Sequence, residues 1–161
     1  RPLLRIVVDS LSRLPLNSKL VASFEDDLIV VSTSAAPEKR TQALRDRGIL
    51  VHVLDGARGR VDLQGLVAWL GGQQFASLLI EAGSKLNWAA LDAQIVDKVL
   101  LYYAPKILGG VDSIPMVGGV GRRSRQGAIR LRDLRMFPVG PDEFAVEAYP
   151  LWTADSEEAA G

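Results

Sequence analysis

Ser77-Leu-Leu-Ile-Glu-Ala-Gly-Ser-Lys-Leu-Asn-Trp-Ala-Ala-Leu-Asp-Ala-Gln-Ile95 reads as a short buried strand, a tight turn around Gly83 and a helix that begins at once. The first backbone N–H groups of such a helix lack intrahelical partners and carry the positive end of its dipole, so they can receive a phosphate. Glu81 stands at the carboxyl end of the strand, where α/β sheets open their ligand crevices. A carboxylate beside a phosphate cradle suggests a nucleotide-cofactor enzyme. The pattern is not the G-x-G-x-x-G fingerprint, because Ala82 precedes a single glycine and no other follows in the first turn. Ser84 and Asn87 either donate to a phosphate or satisfy the helix end.

Outward from this stretch, uninterrupted apolar runs alternate with helical segments. Leu3–Val8 ends at Asp9-Ser10, and Leu28–Val31 is closed by Ser32-Thr33-Ser34. Unbroken rather than alternating runs suit strands covered on both faces. Pro37 opens a helix through about Arg47, with Gly48 as its stop, and Ile49–Leu54 is the next strand. Asp62 caps a helix whose Leu63, Leu66, Val67 and Leu70 share one face, and Gly71-Gly72 ends it. Trp88, Leu91 and Ile95 share a face of the helix after Gly83, and Lys98–Tyr103 is a further strand. This alternation predicts βαβ units and a largely parallel sheet.

The grammar changes after Pro105. A glycine-rich segment, Leu108 to Arg123, is too long for a simple connector and is loose enough to form a lid. Two extended segments, about Ala128–Phe137 and Glu143–Pro150, are joined by Pro138-Val-Gly-Pro-Asp142. They predict a hairpin that adds antiparallel strands to the sheet. The expectation is one α/β domain over residues 1–150, with 151–161 as a disordered tail, small and acidic from Thr153 onward.

Composition narrows the chemistry. Lysine plus arginine equal aspartate plus glutamate at 19 each, so no electrostatic case for nucleic acid arises. The chain has no cysteine, which removes disulfides, thiolate metal sites and a cysteine nucleophile. No apolar run approaches the ~20 residues of a membrane span. The reading therefore expects no metal, no nucleic-acid or membrane partner and a cytoplasmic setting. His52, the only histidine, lies in an alternating strand and reads as structural. Asp9 reads first as a turn residue. Hydroxyls at the strand ends (Ser10, Ser32, Thr33 and Ser34) either line a dinucleotide groove or serve their loops. Arg122, Arg123 and Arg125 read as a solvated face before a phosphate contact. No residue is assigned as catalytic.

Arg5-Ile-Val-Val-Asp-Ser10, the Leu78–Asn87 stretch, Ile95-Val-Asp-Lys-Val-Leu-Leu-Tyr-Tyr-Ala-Pro-Lys-Ile-Leu-Gly-Gly110 and the closing hairpin resemble the reductase domain of the bifunctional riboflavin-biosynthesis deaminase–reductase (RibD type). The likeness runs in order through nearly all of residues 1 to 150. It implies a three-layer, dihydrofolate-reductase-like, mostly parallel sheet with a C-terminal antiparallel hairpin. It also implies reduction by NADPH of 5-amino-6-(5-phosphoribosylamino)uracil, a phosphorylated pyrimidine, to the ribitylamino product. Hydride would reach C1′ of the opened, imine-like ribose. Carried over residue by residue, Glu81 is a substrate contact. Gly83, Ser84, Lys85, Leu86 and Asn87 are the turn and helix start under the cofactor pyrophosphate, and Ser10 is a contact on the NADP side.

Related enzymes are commonly dimers, so a homodimer is expected. For the 2′-phosphate that separates NADP from NAD, Arg13 and Arg40 are the candidates in the sequence. Two departures stand out. The family usually has Glu-Gly-Gly where this chain has Glu81-Ala82-Gly83, and alanine is less free to take unusual backbone angles. The family domain also starts earlier, with a strand bearing a serine–leucine–aspartate–glycine motif, so the chain reads as a piece of a longer polypeptide. Two alternatives stay open: a non-catalytic nucleotide-binding fragment of this fold, and a reductase of the same fold acting on a pterin such as dihydrofolate.

Overall fold

The strand Leu28–Ser32 (β2) is buried at all five positions, and it organises everything before residue 77. The computed structural model describes residues 3–152, which divide after Ala76 into two compact units. In the first unit β2 lies between Arg5–Val8 (β1) and Leu50–Val53 (β3), parallel to both. Because side chains alternate along a strand, Leu28 and Val30 point to one face, and Ile29 and Val31 to the other. The first face packs on Val21 of a short helix, Lys19–Ala22 (α1), and on Leu44 of Glu38–Arg45 (α2). The second packs on Leu66 and Leu70 of Leu63–Gly72 (α3). Helices on both faces of a parallel sheet make three layers, as the unbroken apolar runs require.

Local chemistry sets the helix ends. Asp62 accepts from the Gly65 amide at 3.0 Å and caps α3, as expected. Pro37 stands just before α2 rather than inside it. Gly48 takes φ +81°, a left-handed turn that releases the chain into β3 with the Ile49 amide bonded back to Leu44. The helix α1 was not anticipated; Ser18, whose hydroxyl accepts from the Val21 amide, is the signal that was there to read. Arg5 ties the start of β1 to its surroundings. Its guanidinium donates to the Ser23 hydroxyl and carbonyl, each at 2.8 Å, and to the Asp27 carboxylate at 2.6 Å.

The second unit contains Ser84–Asp92 (α4) and an antiparallel sheet of Val99–Tyr103 (β4), Phe144–Leu151 (β6) and Arg130–Pro138 (β5), in that order. The hairpin is present, joined where expected. β4, expected in the parallel sheet, instead pairs antiparallel with β6. A bulge between Arg132 and Arg135 accompanies Asp133 at φ +55°. β6 extends to Leu151, the first residue of the expected tail; residues 153–161 lie outside the described residues.

The expected strand Ser77–Ile80 does not form: the segment joins no sheet, and Leu78 and Leu79 are 44% and 79% exposed. An apolar run specifies a buried strand only where a neighbouring backbone supplies the ladder bonds, and none among the described residues does. No helix among them is long and apolar enough to cross a membrane.

The hydrogen bond from Arg5, then the Glu25 amide, holds the Asp27 carboxyl below its ordinary range. Its stabilising effect is therefore complete above the ordinary aspartate pKa and is lost as pH falls through the lower folded value. Asp27→Asn should melt below the wild type at pH 7, and the gap should narrow as pH falls below the ordinary aspartate pKa. Thermal melts across that range check this.

Candidate functional site

The amino end of α4 is open. Gly83 precedes the helix with φ −72° and ψ 164°, no side chain caps it, and the first turn carries no acidic residue. The Leu86 and Asn87 amides bond back to the Gly83 carbonyl at 3.0 and 3.1 Å. The Ser84 and Lys85 amides have no partner among the described residues. A Cβ built on Gly83 would meet nothing within 4 Å, and its φ suits any residue. Neither the backbone angle nor packing within the chain therefore demands glycine there. Lys85 places a cation at the positive end of the helix dipole, an arrangement that favours a bound anion.

Glu81 is exposed and has no ion pair or hydrogen bond among the described residues. The expectation that it emerges from a buried strand fails with that strand. Ala82 keeps a negative φ, so the Ala-for-Gly departure strains nothing here.

The glycine-rich segment after β4 lies along α4. The Asn87 side-chain amide donates to the Met116 carbonyl at 3.0 Å, and the Gly118 amide to the Ser84 carbonyl at 3.0 Å. Gly119 has φ +83°, and a Cβ on it would sit 2.7 Å from the Trp88 ring. Arg122 reaches Asp92 at 3.1 Å and stands 5.2 Å from the centre of the Trp88 ring. Ser84, Asn87, Trp88 and Asp92 recur along one helical face, which is why a single extended strap meets them all. Part of the expected lid is thus a strap on the helix. Arg122 ties that strap to Asp92 while remaining exposed, and Arg123 and Arg125 are exposed as well, the solvated face first read.

In the first unit only one of the four strand-end hydroxyls, that of Thr33, is hydrogen-bonded among the described residues, and the buried Ser32 hydroxyl has no partner there. Asp9 is buried, and its carboxylate receives the amides of Leu11 and Arg13 and the Arg13 Nε. It is a turn residue, as first read. Thr33 donates its hydroxyl and its amide to the Ser10 carbonyl, at 2.9 and 3.2 Å. Ser10 itself is half-buried. Arg13 and Arg40, the two candidates for a 2′-phosphate, both bind the loop after β1: Arg13 through Asp9, Arg40 through the Leu11 carbonyl at 3.5 Å. His52 stacks on Trp69 with centroids 4.3 Å apart, a structural role. Among the described residues no group of three or more His, Asp or Glu side chains is arranged to hold a metal ion.

Comparison with known proteins places this geometry in a family setting. The RibD C-terminal domain family matches residues 1–144. A riboflavin biosynthesis protein RibD from Actinobacillus pleuropneumoniae is 38% identical over 80% of this chain and 34% of its own length. A 2,5-diamino-6-ribosylamino-4(3H)-pyrimidinone 5′-phosphate reductase from Methanothermobacter thermautotrophicus is 39% identical over 86% of this chain and 62% of its own. The chain thus spans less than two thirds of either relative. Among solved structures, Acinetobacter baumannii RibD superposes with a TM-score of 0.74 at 24% identity, over 91% of this chain and 37% of that one. That likeness establishes the fold, dihydrofolate-reductase-like as expected.

Gly119→Val should release the strap, since it adds both a left-handed penalty and a clash with Trp88. We expect a loss of about 1–3 kcal/mol of stability and faster proteolysis within residues 108–127. Urea titration and timed digestion check both effects.

Proposed function

The chain belongs to the RibD C-terminal domain family, and from that premise we propose that it carries the reductase step of riboflavin biosynthesis with NADPH as reductant. The substrate in this reading is 5-amino-6-(5-phosphoribosylamino)uracil, and the product is the ribitylamino compound. The observation that carries the proposal is the uncapped start of α4, with two unpartnered amides, no acid in its first turn and open space beside Gly83. These features fit a dinucleotide pyrophosphate. When bound, NADPH supplies the hydride.

The chain's own residues hold and orient. The Ser84 and Lys85 amides receive the phosphate charge, and the Lys85 ammonium adds to it. Leu86 and Asn87 close the first turn, and Asn87 also fixes the strap beside the cradle. Glu81, exposed one turn ahead of the helix, is the substrate contact: its carboxylate accepts from sugar hydroxyls and orients C1′. Reduction of the C=N bond at C1′ of the opened sugar would need the hydride and one proton from solvent at the nitrogen, and would leave the C1′–N link intact. Ser10 contributes on the NADP side.

The reading includes a cytoplasmic homodimer. β5, an edge strand exposed at every residue and carrying Leu131, Leu134, Met136 and Phe137, supports self-association. A second substrate is favoured by one observation: the Methanothermobacter relative is named for the diaminopyrimidinone phosphate rather than the uracil.

Gly83→Val should weaken NADPH binding at least about tenfold, equivalent to ~1.4 kcal/mol, because a branched side chain keeps phosphate from the backbone. Folding should be unaffected, since φ −72° and the open surroundings accept valine. Equal affinity in both proteins, read from nicotinamide fluorescence, would sink the cradle. Glu81→Gln should leave cofactor affinity nearly unchanged and lower kcat/KM for the pyrimidine by roughly tenfold or more. Turnover compared across the uracil, the diaminopyrimidinone and dihydrofolate identifies the substrate. Binding without any turnover would leave a nucleotide-binding fragment.

A further inference from the structure

One face of the antiparallel sheet in the second unit is basic, and the register shows why. Arg130, Arg132 and Arg135 of β5 stand opposite Leu151, Tyr149 and Glu147 of β6. Directly opposed residues of an antiparallel pair share a face. Arg135 is three residues beyond Arg132 and would point the other way in a regular strand; the bulge between them turns it to the same side. Lys98, just before β4, joins the row. Its ammonium lies 3.1 Å from Glu147 and 5.1 Å from the centre of the Tyr149 ring, and Arg132 stands 5.5 Å from that ring. Two of these four cations are answered: Lys98 by Glu147, and Arg132 by Asp133 at 2.5 Å. Arg130 and Arg135 are exposed and have no carboxylate partner among the described residues.

Beyond β6 the sequence supplies the opposite charge. Thr153-Ala-Asp-Ser-Glu-Glu-Ala-Ala-Gly161 holds three carboxylates, Asp155, Glu157 and Glu158, and no cation. It starts two residues after Leu151, the register partner of Arg130, and so leaves the sheet where the arginine row begins. Arg135 is opposite Glu147, four residues back along β6, which is roughly 14 Å at the rise of a strand. The stretch from Trp152 to Glu158 can span about 20 Å when extended. We infer that residues 153–161 turn back onto this face, with Asp155 meeting Arg130 and the Glu157–Glu158 pair meeting Arg135. Single exposed ion pairs are weak, but a row of them on an arginine track is additive and is screened by salt. The segment thereby closes a basic, tyrosine-bearing surface to external polyanions, in a chain whose formal charges cancel.

The test uses the full chain and a glutamate-specific protease, with cleavage after Glu157 and Glu158 followed by mass spectrometry. At low salt the double variant Arg130→Ser/Arg135→Ser, at two exposed positions, should keep the wild-type melt and be cut there about threefold faster or more. High salt should make the two rates equal. A second measurement is heparin affinity at low salt. Asp155→Asn/Glu157→Gln/Glu158→Gln should bind heparin about threefold tighter than wild type or more, and this gain should vanish when the two arginines are also replaced. The inference is overturned if wild type and the arginine variant are cut at the same rate at low salt. A heparin gain that persists without the arginines reports net charge alone and overturns it as well. So does a fall in sedimenting mass of the arginine variant with unchanged cleavage, which would give the face to a second copy of the chain.

Discussion

The two-sided burial of β2 is the constraint on which the first unit depends. Each aliphatic residue that this strand removes from water contributes on the order of 1.5–3 kcal/mol, and the alternation of side chains divides that gain between two cores. A strand apolar on both faces must be covered on both. Helices α1 and α2 have to return on one side and α3 on the other, with parallel neighbours at β1 and β3. The loops at the carboxyl ends of these strands then converge, which is why Asp9, Ser10 and Thr33 are hydrogen-bonded to one another or to a shared turn.

A different economy governs the second unit. α4 buries little beyond Ala90, and much of its fixed surroundings comes from the strap through Met116, Gly118, Gly119 and Arg122. Two glycines let the strap lie against Ser84 and Trp88, where any side chain would collide. Among the described residues no side chain caps the amino end of the helix. A binding surface made of backbone amides gains from this, because its geometry is set by the helix and not by flexible side chains. The same unit exposes an edge strand and many apolar side chains, including Ile107, Leu108 and Val111, a composition suited to contact with other surfaces.

Much of the fold was legible because its determinants are local. Asp62 caps α3 and Gly48 turns the chain after α2 as their residue types dictate. The turn at Pro138–Asp142 joins the two strands expected on either side of it. The site was legible only in part. Gly83 and the helix after it fall where the spacing put them. Asn87, read as a phosphate contact or a cap, also holds Met116 across a sequence gap that no local pattern reveals. Arg13 and Arg40 stand out together in the sequence; that Lys39 and Ser12 line one hollow with them does not, because α2 meets the β1 loop only after the sheet has formed.

By itself the sequence determined the strands of the first unit, its helices α2 and α3 with their starts and stops, though not α1, and the family to which the chain belongs. These follow from short-range sterics, capping and the periodicity of apolar residues. Only the tertiary structure decided that β4 joins the hairpin instead of the parallel sheet, that Ser77–Ile80 stays unpaired with Glu81 in solvent, and that the glycine-rich segment straps α4. Strand partnership and long-range packing depend on which backbone edge and which surface are available in space, and a linear pattern of residue types does not encode that availability.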